Sequence, residues 1–200
     1  FEGATNLDPY FALAFKELAY VTAKLKDTEN AIKYYKQSLK FDRNDENTHR
    51  ELLELYEQTG EMGQAIDQYE EIIRIDPKNF SARYALANLY TKEGREQDAV
   101  RHYRIAIKFN PNDQKAHKAL AYLHTQSGKF ESAIKHFKKV IRINPKDPET
   151  YSKLARVYDL QGNRSKAIGI YESIVKAHPE DLKTHERLAV AYEKNHRRMD

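Results

Sequence analysis

The chain has 200 residues, of which 40% are hydrophobic and 32% are charged, and its formal net charge is +4 at pH 7. It contains no cysteine, which excludes disulfides and thiolate chemistry, and no apolar run of about 18 residues that could span a membrane. The small net charge disfavours a dedicated nucleic-acid binder, and the compartment is left open, with the cytoplasm favoured.

Three kinds of residue recur along the chain with a period of 34 residues. A period of this length with several independent markers is typical of a solenoid built from helical hairpins. Alanine recurs five times, glycine four times, and proline five times with one omission at Arg43. The markers are Ala31, Ala65, Ala99, Ala133 and Ala167; Gly60, Gly94, Gly128 and Gly162; and Pro9, Pro77, Pro111, Pro145 and Pro179.

Numbering each unit from 1 to 34, with the periodic proline at position 32, divides the chain into consecutive elements. Residues 1–11 align with the end of a unit, so we expect them to be the remnant of an upstream repeat, part of its second helix. Residues 182–200 repeat the start of a unit, so we expect the first helix of a sixth repeat or a capping helix. Between them lie five full repeats: 12–45, 46–79, 80–113, 114–147 and 148–181.

Each unit has two stretches of apolar residues at helical spacing, one at positions 4, 7, 8 and 11 and the other at positions 20, 24, 27 and 30. Glycine at position 15 separates them, as a C-terminal cap would. An Asn-Pro or Asp-Pro step ends the second stretch, because proline disfavours helix at the residue before it. The pattern predicts helix, turn, helix and break, with alanines at positions 8 and 20 allowing close packing.

This pattern resembles the tetratricopeptide repeat family, which places Leu-Gly or Leu-Ala at positions 7–8, Tyr at 11, Gly at 15, Ala at 20, Tyr or Phe at 24, Ala at 27 and Pro at 32. Lys26 at position 15 and Arg43 at position 32 depart from it in the first repeat. The resemblance implies an all-α, right-handed α-solenoid of stacked antiparallel helix pairs. It also implies a protein-interaction scaffold or adaptor rather than an enzyme.

In this family, positions 5 and 9 of the first helix line the concave surface that grips a peptide or a partner helix. Here those positions combine tyrosine with Arg, Lys and Asn, a composition typical of binding hot spots. The alternative is that the rings pack on an adjacent helix. The candidate partner-binding residues are Lys16, Arg50, Tyr84, Lys118 and Ser152 at position 5, and Tyr20, Glu54, Asn88, Tyr122 and Arg156 at position 9.

Family members that hold chaperone C-termini use a five-residue carboxylate clamp. Lys118, Lys183 and Arg187 occupy three of its positions in this chain, whereas Tyr122 and Lys153 occupy the two that require asparagine. The match is therefore partial, and the clamp remains a minor alternative.

Two further alternatives concern the parent protein, which could be a larger enzyme with this chain as its substrate-docking arm, or a self-assembling oligomeric platform. Nucleic-acid binding is disfavoured despite a basic cluster in the fourth repeat. Nothing in the sequence predicts a cofactor, a catalytic group or a metal site. Three histidines at position 4 (His49, His117 and His185) are expected to replace a bulky structural residue, and His102 and His136 at position 23 are expected to face solvent.

Overall fold

The computed structural model describes residues 9–196, and every regular element in that range is an α-helix. The turns that join the helices are short. The helices are α1 (Pro9–Lys24), α2 (Thr28–Phe41), α3 (Glu46–Thr59), α4 (Met62–Ile75), α5 (Phe80–Lys92), α6 (Glu96–Phe109), α7 (Gln114–Gln126), α8 (Phe130–Ile143), α9 (Pro148–Leu160), α10 (Arg164–Ala177) and α11 (Leu182–His196).

The chain forms two compact units, Phe1–Arg95 and Glu96–Asp200. In the first unit, helices α1 to α5 each pack against the next helix in the chain, and helices α6 to α11 do the same in the second unit. Short turns between such neighbours make them antiparallel pairs. The protein is therefore all-α and built from stacked helix pairs, as the repeat pattern predicts.

Aspartate or asparagine side chains begin most of these helices. The Asp45 carboxylate accepts hydrogen bonds from the backbone N–H of Asn47 at 3.0 Å and of Thr48 at 3.3 Å. Asp147 accepts in the same way at the start of α9. Such caps satisfy N–H groups that have no partner inside the helix.

A residue in the left-handed conformation ends the first helix of each full repeat. Gly60 takes this role with a φ of 76°, and Gly94, Gly128 and Gly162 are alike. In the first repeat Lys26 adopts a φ of 62° at the same position. The turn is thus imposed by the fold even where glycine, which adopts it without steric cost, is missing.

The periodic alanines lie in the packed interior between the helices. All five alanines at position 20 are completely buried: Ala31, Ala65, Ala99, Ala133 and Ala167. Buried aromatics such as Tyr35 and Tyr103 at position 24 fill the space beside them. The full burial of alanine at position 20 is therefore what the repeat pattern predicts.

Two details of the predicted helix faces are wrong. Position 30 does not belong to the buried stripe throughout, because Phe109 is 42% exposed. The histidines at position 23 do not face solvent: His102 is buried, and His136 is half-buried against His117.

The predicted ends of the array are only partly described. Residues 1–8 lie outside the described residues, and residues 9–11 belong to α1, which begins at Pro9. At the other end α11 packs on α10 and buries Ala191. Within residues 9–196, no helix combines the length and apolar character needed to cross a lipid bilayer.

Candidate partner-binding site

The residues at positions 5 and 9 of the first helices are called here the first-helix flank. They lie on α1, α3 and α5 in the first unit and on α7 and α9 in the second. Because residues four apart in a helix are neighbours on its surface, positions 5 and 9 of one helix share one side of it. All ten predicted site residues fall within the described part of the chain.

The two lysines of the flank are held by ion pairs. Lys16 Nζ lies 2.6 Å from Asp45 Oδ2, and Lys118 Nζ lies 2.6 Å from Asp147 Oδ2. Each aspartate caps the next first helix, so each pair ties neighbouring repeats together. The pKa of Asp45 lies below its usual value. Burial of the carboxylate would raise this pKa, but hydrogen bonds from Lys16 and from Thr48 lower it by more. The equivalent bonds lower the pKa of Asp147.

Two tyrosines of the flank are exposed. Tyr20 is 48% exposed and Tyr122 is 55% exposed. Lys24 Nζ lies 5.1 Å from the centre of the Tyr20 ring. Each of these two tyrosines therefore keeps about half of its surface accessible to a partner. Tyr84, the third tyrosine of the flank, is half-buried.

The other flank residues differ in accessibility. Arg50 is exposed and donates from Nε to Glu46 at 3.0 Å, and Glu54 accepts a hydrogen bond from Gln58 at 3.2 Å. Asn88 is half-buried, and Arg156 is exposed. Ser152 is buried, and its hydroxyl accepts a hydrogen bond from Arg187. Among the ten residues, Ser152 is therefore the one whose side chain is fully covered.

Some of the residues that partly match the carboxylate clamp line a cavity of about 350 Å³ beside α9 and α11. Lys153, Lys183 and Arg187 contribute positive charge to it. Glu149 and Asp181 also line it, and Glu149 pairs with Lys153 at 2.8 Å. The cavity is therefore mixed in charge, and Lys118, the remaining clamp residue present, is already paired with Asp147.

The sequence interpretation missed a larger cavity, of about 840 Å³, between α6, α7 and α8. Three histidines line it, and His117 Nδ1 lies 2.9 Å from His136 Nδ1. Positions 4 and 23 also meet in the second repeat, where His49 Nδ1 and Gln68 Oε1 are 2.8 Å apart, but the 19-residue separation alone does not predict this contact between two helices. Among the described residues, no three His, Cys, Asp or Glu side chains are arranged to hold a metal ion.

Burial lowers the pKa of these histidines, because it disfavours the charged form of the ring. Burial, followed by the charges of His117, His124, Lys135 and Arg104, lowers the pKa of His136 to about 4. Burial also lowers the pKa of His117, against the hydrogen bond to the Pro111 carbonyl. The ring of His136 is therefore neutral at pH 7 when the cavity holds no counter-charge.

Repeated antiparallel helix pairs whose first helices end at a left-handed residue define a helical-repeat protein. Tetratricopeptide repeat profiles match residues 17–45, 54–94, 84–148 and 124–195. The chain belongs to the tetratricopeptide repeat family.

Solved structures of other repeat proteins are similar in fold. MamA matches with a TM-score of 0.69 and 22% identity over 86% of this chain and 94% of that chain. YrrB, described as a TPR protein with an unusual peptide-binding site, matches with a TM-score of 0.69 and 19% identity over 88% of this chain and 91% of that chain. A tetratricopeptide repeat protein of Parabacteroides merdae matches with a TM-score of 0.71 and 21% identity over 95% of this chain and 77% of that chain.

At these identities the likeness establishes the fold. No curated protein matches the sequence.

Proposed function

We propose that this chain is a protein-interaction module whose first-helix flank binds an extended peptide or a helix of a partner protein. Tetratricopeptide repeats are protein-interaction units, and YrrB, which shares the fold, is described as having a peptide-binding site. The module has no catalytic role in this proposal. Its contribution is a preformed surface that orders the partner without reorganising itself, which lowers the entropic cost of binding.

The observation that supports the proposal best is the exposure of Tyr20 and Tyr122 on the flank. An exposed tyrosine offers a large ring with few rotatable bonds and a hydroxyl that donates or accepts a hydrogen bond. Each ring follows a lysine by four residues, so the ring and the lysine share one side of the helix. The ion pairs to Asp45 and Asp147 fix those lysines, which limits the side-chain entropy lost on binding.

The two units supply the same lysine–tyrosine arrangement beside different neighbours. In the first unit, Arg50 and Glu54 follow on α3. In the second unit, Arg156 follows on α9. A partner with an apolar or aromatic anchor for each tyrosine and carboxylates near the arginines suits both surfaces.

A peptide library panned against the 200-residue chain tests the proposal directly. The affinity of a selected peptide is then measured by fluorescence polarisation for the wild type, Tyr20→Ala and Tyr122→Ala. Truncating a hot-spot tyrosine weakens binding by about 30-fold. Phe109→Ala is the matched control, because this ring is also exposed but lies on the second helix α6. Binding that survives both tyrosine changes, or falls only with Phe109→Ala, places the site off the flank and contradicts the proposal.

Self-assembly is the competing function, because repeats of opposite charge within one chain favour head-to-tail association. Residues 46–79 have three basic and nine acidic side chains, whereas residues 114–147 have eight basic and two acidic. Sedimentation velocity at low and high salt separates the two functions. A salt-sensitive oligomer whose formation removes peptide binding favours self-assembly, and a monomer at both salt concentrations excludes it.

A further inference from the structure

The cavity between α6, α7 and α8 is strongly positive. Five cationic side chains line it, and of the described residues that line it none is a carboxylate. Within residues 9–196 none of the five forms an ion pair, although Lys139 Nζ donates to Asn112 Oδ1 at 2.9 Å. The cations are Arg104 on α6 and Lys135, Lys138, Lys139 and Arg142 on α8.

So many unpaired cations around one concavity repel one another, and an anion in the cavity relieves that repulsion. Four of the five cations are exposed, so solvent screens part of this repulsion, but a concave site still raises the local concentration of an anion. The volume of about 840 Å³ exceeds what one phosphate fills and suits a ligand with several anionic groups. The concentration of charge in one concavity favours a small ligand over a nucleic-acid strand, which a protein follows along an extended basic groove.

The histidine pair adds a proton-sensitive donor to the cavity. His117 Nε2 lies 3.1 Å from the Pro111 carbonyl oxygen, which can only accept, so His117 donates from Nε2. Neutral His117 therefore has a lone pair on Nδ1, and the 2.9 Å contact requires His136 to donate from its own Nδ1. A second proton on His136 goes to Nε2, which leaves the pair intact and adds one donor and one positive charge.

The groups around His136 come from all three helices that form the cavity. Arg104 faces it from α6, His117 and His124 from α7, and Lys135 from its own helix. His124 stacks on His136 with ring centres 5.7 Å apart. The acidic groups that act on the cluster are Glu96 on His124 and Asp113 on His117. Positive charge and imidazoles therefore dominate the surroundings, and an anion is the missing counter-charge.

We propose that this cavity binds a small ligand with two or more phosphoryl groups, and that its binding is coupled to protonation of His136. Arginine and lysine supply charge-assisted hydrogen bonds to phosphoryl oxygens. A phosphoryl group concentrates more negative charge than a carboxylate, which matches five cations in one concavity. This site is separate from the first-helix flank and goes beyond the proposed interaction with a peptide.

Isothermal titration calorimetry of the 200-residue chain with tripolyphosphate tests the site. We expect one binding site for the wild type and an affinity at least about tenfold lower for Lys135→Gln/Arg142→Gln, since each charge-assisted contact contributes about that factor. Lys115→Gln/Lys146→Gln is the matched control. It removes two charges from the same repeat at exposed positions that do not line the cavity, and we expect it to keep wild-type affinity.

Equal losses in the two double variants would mean that the anion binds the net charge of the repeat, and would overturn the proposal. Two further probes test the ligand class. Citrate binding as tightly as tripolyphosphate overturns the phosphoryl assignment. A uridine oligonucleotide that binds more tightly and is weakened alike by both double variants assigns the cations to nucleic acid instead.

The proton coupling is tested with His136→Gln, which keeps a hydrogen-bonding partner for His117. Lowering the pH from 7.5 to 5.5 should tighten binding about threefold more in the wild type than in this variant, because the anion favours the protonated ring. Comparison at each pH cancels the protonation of tripolyphosphate itself. Identical pH dependence in the two proteins overturns the role of His136.

Discussion

Repeats 46–79 and 114–147 have the same helical framework but opposite charge. Their net charges are −6 and +6, yet each has a first helix capped by aspartate, a left-handed glycine and a fully buried alanine at position 20. The framework therefore depends on few positions, and the exposed positions are free to diverge. In a solenoid each unit packs only on its neighbours, so the surface charge of a unit can change without altering the architecture.

The two repeats also differ in the side chains that form the contact between positions 4 and 23. His49 and His117 are both buried at position 4, and each uses Nε2 to bond a carbonyl oxygen six residues earlier. At position 23 the partner is Gln68 in one repeat and His136 in the other. An amide can turn to satisfy either protonation state of its partner, whereas two facing imidazoles must share one proton. The histidine pair is thus the proton-sensitive version.

The largest expected effect tests whether the frameworks are equivalent. Ala65→Leu and Ala133→Leu each force three additional carbons into a fully buried contact. We expect each to lower the free energy of unfolding by about 3 kcal/mol, and by similar amounts in the two repeats. Urea denaturation monitored by circular dichroism measures this. Ala189→Leu is the exposed control and should be nearly neutral; a loss confined to one repeat would show that the frameworks differ.

The next effect concerns pH. The pKa of His136 in the folded chain is about 4, below the ordinary value of 6.5. As the pH falls through this interval the unfolded chain takes up the proton first, so stability present above pH 6.5 is lost towards pH 4. The ring is partly exposed, so we expect about 1 kcal/mol, or about 3 °C in Tm.

Reciprocal exchange of the position-23 residues sharpens this comparison. His136→Gln should make the loss of Tm on acidification smaller and leave the Tm at pH 7.5 nearly unchanged, as scanning calorimetry can measure. His117 and the capping aspartates, whose pKa values are also lowered, keep the remaining acid sensitivity. Gln68→His should introduce a smaller acid sensitivity, because the acidic repeat favours a protonated ring. If His136→Gln leaves the pH profile unaltered, the histidine pair does not set the acid sensitivity.

The sequence predicts correctly those structural features that are determined by the residues of a single repeat. Period, helix order and the buried alanines follow from residue size and spacing, which is why the five alanines at position 20 are all located correctly. Errors arise where a side chain meets a residue from another helix. His136 is covered by His117 and His124, and the exposure of Phe109 depends on what its neighbours place opposite the ring.

In the candidate site, too, the sequence predicts positions on a single helix but not the contacts between helices. The exposed rings of Tyr20 and Tyr122 lie at positions assigned from the family pattern, but helical spacing cannot tell an exposed ring from a packed one. In both ion pairs, Lys16–Asp45 and Lys118–Asp147, the lysine and the capping aspartate are separated by 29 residues in the sequence. That regularity becomes interpretable only when the cap of the next helix is known to lie within reach of the lysine.

The smallest effect separates two glycines of one repeat. Gly60 has a φ of 76° at the end of α3, whereas Gly63 lies inside α4, and a Cβ added at either meets no atom within 4 Å. Gly60→Ala should lower the free energy of unfolding by about 1 kcal/mol, because alanine resists the left-handed conformation. Gly63→Ala should raise it by about 0.8 kcal/mol through helix propensity. Urea midpoints that move in the same direction would contradict the assignment of Gly60 as the left-handed residue that ends α3.

The same argument applies to Lys26, which has a φ of 62°. Lys26→Gly should stabilise the first repeat by about 0.5 kcal/mol, since the greater freedom of glycine in the unfolded chain offsets part of the relieved strain.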